Sequence, residues 1–152
     1  MAQLCKPYPA GVGAMLKERT TFGNGTLRGC LVLTGGIYNP ADATLSSVIN
    51  GGALDALVGG SDGVRKNFTP TQSIVGNRVR IHIETHTWTA VDALQSIEAL
   101  VVVVNLAAAD GDAPFVWMSG GDDPYDLPQV SQGGNLTITP HADGIFEIQI
   151  PA

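Results

Sequence analysis

Residues 78–88 read RVRIHIETHTW. Val79, Ile81 and Ile83 alternate with Arg78, Arg80, His82 and Glu84. A period of two marks a strand with one apolar and one polar face. Extended through His86 and Trp88 on the polar side, the pattern predicts one long strand over 77–90. This is the clearest strand signal in the chain, and it sets the fold class.

The alternation also places His82, Glu84 and His86 on one face. Two imidazoles and a carboxylate are metal-ligand types. Arg78 and Arg80 share that row, however, and cations disfavour a divalent metal nearby. The spacing is not the HExxH of a helix. His82, Glu84 and His86 therefore stand only as the candidate metal ligands. The expected role of the row is a polar face meeting water or a partner chain, with no cofactor.

The rest of the 152 residues points the same way. Apolar residues make up 44% and charged ones only 14%, which is too apolar for a disordered chain. Nineteen glycines and nine prolines imply many turns. The expected fold is all-β: an antiparallel β-sandwich, jelly-roll-like, with an extended N-terminal arm and short helical turns. The domain division is an arm over 1–25 and a β-sandwich over 26–152. CKPYPAGVG at 5–13, with two prolines and two glycines around Tyr8, reads as an extended path. AMLKERT at 14–20 and the segments 44–49 and 53–58 read as short helical turns.

TLRGCLVLT at 26–34 predicts a strand with Leu27, Leu31 and Leu33 on one face. SIEALVVVVNLAA at 96–108 does not alternate, so that strand is expected to be buried on both faces. Its second face needs a cover: the N-terminal arm, the 44–58 segment, or another chain. APFVWMSGG at 113–121 is a further strand. NLTITP and GIFEIQI, joined by HADG, read as a closing hairpin, with Leu136 and Ile138, then Phe146, Ile148 and Ile150, facing inward.

No catalytic residues emerge. There is no GxSxG elbow, and the third histidine, His141, falls in the HADG turn. Asp110, Asp112, Asp122, Asp123 and Asp126 lack EF-hand spacing and read as solvated loop acids. GGSDG and SGGDD carry no Walker spacing. The net charge of −6, with few and scattered cations, argues against nucleic-acid partners. No apolar run is long enough to span a bilayer, so no membrane partner is expected. MAQLCKPYPAG lacks the apolar core of a signal peptide, and synthesis in the cytoplasm is expected. Cys5 and Cys30 lie far apart in sequence, and a disulfide between them is left open.

Aromatic anchors flanked by polar or proline-rich sequence suit protein–protein contact. On that ground Cys5, Pro7, Tyr8, Pro9, Trp88, Trp117 and Tyr125 are the expected partner-interface residues. For Trp117, a plain core role is the competing expectation.

Several stretches carry a resemblance: Leu31–Thr34 followed by Tyr38 and Pro40, Trp88–Ala90, Ile97–Leu106, Leu127–Val130, Gly133–Ile138 and Gly144–Ile148. Together they resemble a family of small tailed-bacteriophage virion proteins over most of 26–150. LPQVSQGGNLTIT at 127–139 is the most distinctive part. The chain departs from the family at Asn105 with its following alanines, and in its longer, proline-rich N-terminus. The resemblance implies a non-enzymatic β-sandwich in a virus particle. The expected role is a capsid decoration (cement) protein on the outer capsid surface. Its partners would be the major capsid protein and itself, as a homo-oligomer with a trimer favoured. A tail or head–tail connector component is the alternative within that class. A carbohydrate-binding module stacking sugars on Trp88, Trp117 and Tyr125 is the alternative from another.

Overall fold

The structure, a computed structural model, describes residues 3–18, 23, 25–33, 36–49, 65–91, 96–107, 111–120, 127, 129–130, 132–140 and 142–151. The fold is all-β and mostly antiparallel, as the sequence predicts. In chain order the elements are β1 (Gln3–Pro7), α1 (Pro9–Glu18), β2 (Leu27–Leu33), α2 (Leu45–Val48), β3 (Lys66–Phe68), β4 (Thr71–Val75), β5 (Arg78–His82) and β6 (His86–Val91). They continue with β7 (Ser96–Val104), β8 (Ala113–Gly120), β9 (Gln129–Val130), β10 (Gly134–Ile138) and β11 (Phe146–Gln149). One large sheet runs β1-β8-β7-β2-β3, with β9 also pairing β7. Two small sheets, β10-β6 and β11-β5-β4, are the others among the described residues.

β7 is the centre. Leu100, Val102 and Val104 face one core, with Leu27, Leu31, Phe115 and Met118 from the large sheet and Ile81, Trp88 and Ile138 from the small sheets. Ala99, Val101 and Val103 face a second core with Tyr8, Cys30, Val32, Leu45, Val48 and Trp117. The expectation of a strand buried on both faces holds. The cover of the second face is also among those expected: Tyr8 from the N-terminal segment and Leu45 and Val48 from α2. Residues 53–58 lie outside the described residues. A bulge opposite Val32 and Leu33 lets Ile97 join the first core although Ala99 joins the second.

β8 contains a second irregularity, and it organises the N-terminus. Val102 pairs Val116 whereas Val103 pairs Pro114, so Phe115 is the extra residue. A bulge is where a strand tolerates a proline, which has no ladder N–H to donate. The Phe115 carbonyl accepts from the Tyr8 N–H at 2.8 Å. α1 then lies so close over this bulge that a Cβ on Gly11 would stand 2.2 Å from the Pro114 oxygen. Only glycine allows that approach. Pro9 opens α1, where its missing N–H costs nothing, and Met15 enters the first core.

Residues 3–18 are therefore not a free arm. β1 pairs β8 from Gln3↔Gly120 to Pro7↔Val116, and the following turn sends Tyr8 and Met15 into opposite cores. The division at residue 25 is corrected accordingly. The closing hairpin is corrected as well: β10 pairs β6 and β11 pairs β5, not each other. Leu136 and Ile138 do turn inward, whereas Ile148 and Ile150 are exposed.

Asp112 is also corrected, from solvated loop acid to buried tie, with no exposure. One of its carboxylate oxygens accepts from the Leu106 N–H at 3.0 Å, and the other lies 3.5 Å from an Arg28 guanidinium nitrogen. Its carbonyl accepts from Leu45 N–H at 2.9 Å, which fixes α2 over the sheet. Asp110, Asp122, Asp123 and Asp126 lie outside the described residues, as does His141.

Cys5 stands in the row Met118–Leu100–Leu31, and Cys30 in the row Val101–Trp117–Lys6. The two thiols are separated by three strand spacings, roughly 14 Å, and point into opposite cores. That separation forbids an intrachain bridge between them. Burial pushes the Cys5 thiol up to about 11, so it stays protonated and unreactive.

Two outcomes check this architecture. Deleting residues 1–18 removes Tyr8 and Met15 from the cores, at about 1.5–3 kcal/mol each, from a total stability of roughly 5–15 kcal/mol. The truncated chain should lose its cooperative thermal transition; an unchanged midpoint would restore the detachable arm. Thiol titration of the native chain should show no fast-reacting cysteine and both after denaturation. A natively oxidised pair would contradict the register.

Candidate interaction surface

The opening stretch does not form one strand. β5 ends at His82, residues 83–85 leave the ladder, and β6 begins at His86 in a different sheet. The cause is packing. Ile83 and Trp88 are five residues apart and would face opposite ways on a continuous strand. Both are buried in the same core, so the chain must break between them.

That break separates the three candidate ligands. His82 Nε2 lies 2.8 Å from Ser73 Oγ, tying β5 to β4. Glu84 accepts the Thr69 N–H with both oxygens, at 2.8 and 3.0 Å. His86 donates from Nε2 to the Asn67 carbonyl at 2.6 Å, and its ring stacks on Phe68 at 4.7 Å. Glu84 and His86 approach to 3.9 Å, but each is engaged in a different joint. Among the described residues no three His, Cys, Asp or Glu side chains gather as a metal site.

The expected interface aromatics are also elsewhere. Tyr8 and Trp88 have no exposure and Trp117 has 4%. Tyr8 and Tyr38 pack at 4.9 Å, with Trp117 at 6.5 Å from Tyr38, inside the second core. Their placement on an open surface is corrected: the sheet needs their bulk, since an interior must be filled. For Trp117 the competing core expectation holds. Pro9 is exposed on α1. Cys5 and Pro7 line a shallow cleft of about 360 Å³ beside Phe146 and Glu147. Tyr125 lies outside the described residues.

Among the described residues, exposed apolar side chains gather on the three-stranded sheet, whereas Leu16 and Ile37 are exposed elsewhere. Ile74 pairs Val79, and Val79 pairs Ile148, so one apolar row crosses β4, β5 and β11. One step inward, Ile81 and Phe146 pack on the first core. The outer row projects past it: Ile74 is 71% exposed and Ile148 40%, with Ile150 beside them at 55%. The opposite face is polar. Arg80 donates to Glu147 at 2.8 Å and to Asp143 at 2.9 Å, and Arg78 lies 3.5 Å from Glu147.

The sheet is rooted firmly. Gly144, at φ +90°, brings the turn before β11 against β5; a Cβ there would meet the Ile81 oxygen at 2.5 Å. The Ile145 N–H donates to that oxygen at 2.8 Å. The result is an amphipathic tip: paired charges on one face, with Val75 exposed beside them, and exposed isoleucines on the other. Clustered exposed apolar side chains mark contact surfaces.

Sequence reasoning missed this tip. Its signal was present in TQSIVGNRVRIHI, where two strand-like runs flank the two-residue turn Gly76–Asn77. Among the described residues no helix is long and apolar enough to cross a membrane. Among the described residues the chain is thus all-β, with two closed cores and an apolar face projecting at the three-stranded sheet. No family model matches the chain, and neither a curated protein nor a solved structure is significantly similar to it.

Collisional quenching checks the aromatic placement. Iodide should quench Trp88 and Trp117 emission weakly in the native chain and strongly after denaturation. Strong native quenching would return the tryptophans to the surface.

Proposed function

We propose that this chain is a non-enzymatic structural subunit of a tailed-bacteriophage virion, a capsid decoration protein binding the outside of the major capsid protein shell. The sandwich, jelly-roll-like architecture expected of such proteins belongs to the same proposal. Its sequence support is the pattern of strands and turns from Leu31 to Ile148. The observation that carries it is the amphipathic tip, whose Ile74–Val79–Ile148 row lies open on a chain that closes both faces of its central strand. Such a face suits burial against another protein. Low charge elsewhere and many small polar residues suit packing into an assembly.

The tail or connector role is the second reading, and the tip supports it equally. The sugar-binding reading loses its basis at Trp88 and Trp117, whose rings are packed inside. The interface moves accordingly, from the aromatics to the isoleucine row.

Copy number tests the proposal. Quantitative mass spectrometry of purified particles should give a ratio to the major capsid protein of roughly one, as closed shell symmetry requires. A ratio of a few per cent would favour the tail or connector role, with about six or twelve copies in a ring. Absence from particles would overturn both.

A further inference from the structure

β4 is the outer strand of the tip, and its far edge is unpaired among the described residues. Val75 and Arg78 flank the two-residue turn and so form the closing hydrogen-bonded pair of the hairpin. Thr71, Ser73 and Val75 therefore direct their backbone groups toward β5. Gln72 and Ile74 direct theirs outward. The edge sequence TQSIV contains no charge and no proline, the two devices that usually protect an open edge.

We infer that the occupant of this edge is a second copy of the chain, paired antiparallel through β4 about a two-fold axis at Ser73. This rests on the reading of the tip as an assembly surface. In that register Thr71 meets the second copy's Val75, Gln72 meets its Ile74, and Ser73 meets its own twin. Each Gln72–Ile74 pair exchanges two backbone bonds, so every outward donor and acceptor of β4 is satisfied. The axis stands perpendicular to the sheet, so the apolar faces stay on one side. The two Ile74 side chains lie diagonal to each other, within cross-strand reach, and join the two Val79–Ile148 rows into one band over six strands.

Charge favours a copy over another partner. The chain carries −6 overall, yet at the tip Arg78 and Arg80 are balanced by Asp143 and Glu147. Two copies of an acidic chain meet where these charges cancel, without like charges facing. An uncharged edge offers nothing to a charged ligand and is complementary to itself. The contact is small beside the roughly 1,600 Å² of a standard interface. It is weak between free chains and is strengthened by repetition in an assembly.

Sedimentation velocity over a wide concentration range tests the pairing on wild type and Ile74→Lys. Wild type should shift from 15.8 kDa toward twice that mass as concentration rises. Ile74→Lys should weaken association roughly tenfold or more, about 1.4 kcal/mol per factor of ten, with an unchanged thermal midpoint because Ile74 is exposed. Ser73→Cys should form a covalent dimer on mild oxidation, whereas wild type, with Cys30 buried and Cys5 half-buried and held protonated, should not. A wild type that stays monomeric throughout, or a Ser73→Cys chain that does not cross-link, would overturn the pairing. If Ile74→Lys then still lowers particle occupancy, the tip reading survives without the pairing. If occupancy and association are both unaltered, both fall.

Discussion

The structure depends on one constraint: β7 is apolar on both faces. A strand of this kind contributes to stability only when both sides are removed from water. Each buried valine or leucine contributes about 1.5–3 kcal/mol, but only beneath a cover. The two small sheets supply one cover, and Tyr8 with α2 supplies the other. This explains why the N-terminal segment is built into the sheet rather than left to reach a neighbour. It also explains why Asp112 is buried. Its backbone and carboxylate hold α2 and the β7–β8 connection over the second face, and a buried polar group persists only when its hydrogen bonds are made.

Satisfying β7 internally has a consequence for function. Tyr8, Trp88 and Trp117 are taken up by the cores, so the exposed apolar side chains among the described residues are ones that the cores do not need. The three-stranded sheet is longer than the core beneath it. Ile81 and Phe146 reach that core, while Val79, Ile74 and Ile148 extend beyond it. The apolar row there is thus the overhang of a strand pattern whose inner half is structural. The charges on its other face neutralise one another, so the pairs give the tip no net field.

Much of this was legible in the sequence, for identifiable reasons. The all-β class followed from short alternating runs and glycine-rich turns. The double burial of β7 followed from an apolar run that did not alternate, and the list of possible covers contained the two that occur. Legibility failed where local pattern and packing disagree. Alternation through 78–88 suggested one strand, yet the bulk of Trp88 outweighed continuity and broke the chain at 83–85. Adjacent strand signals in the last residues suggested a hairpin, but pairing is decided between distant segments, and β10 and β11 went to different partners. Proline-rich composition suggested a free arm, although Pro9 starts a helix and Gly11 lets it dock. The three polar residues of IHIETH were noticed, but His82 ties β5 to β4, His86 ties β6 to β3, and Glu84 holds the β3–β4 connection, which spacing alone does not reveal.

The central claim is that this chain closes its own core around β7 and leaves the β4 edge for assembly. Hydrogen exchange resolved by residue, compared between the free chain and the particle proposed to contain it, tests it most directly. The account predicts that Leu100–Val104 amides exchange slowest in both states. Gln72 and Ile74 amides should exchange fast in the free chain and be protected in the particle. Fast exchange of Val101 and Val103 in the free chain would show that their cover comes from another molecule, and unprotected Gln72 and Ile74 in the particle would remove the edge from the assembly.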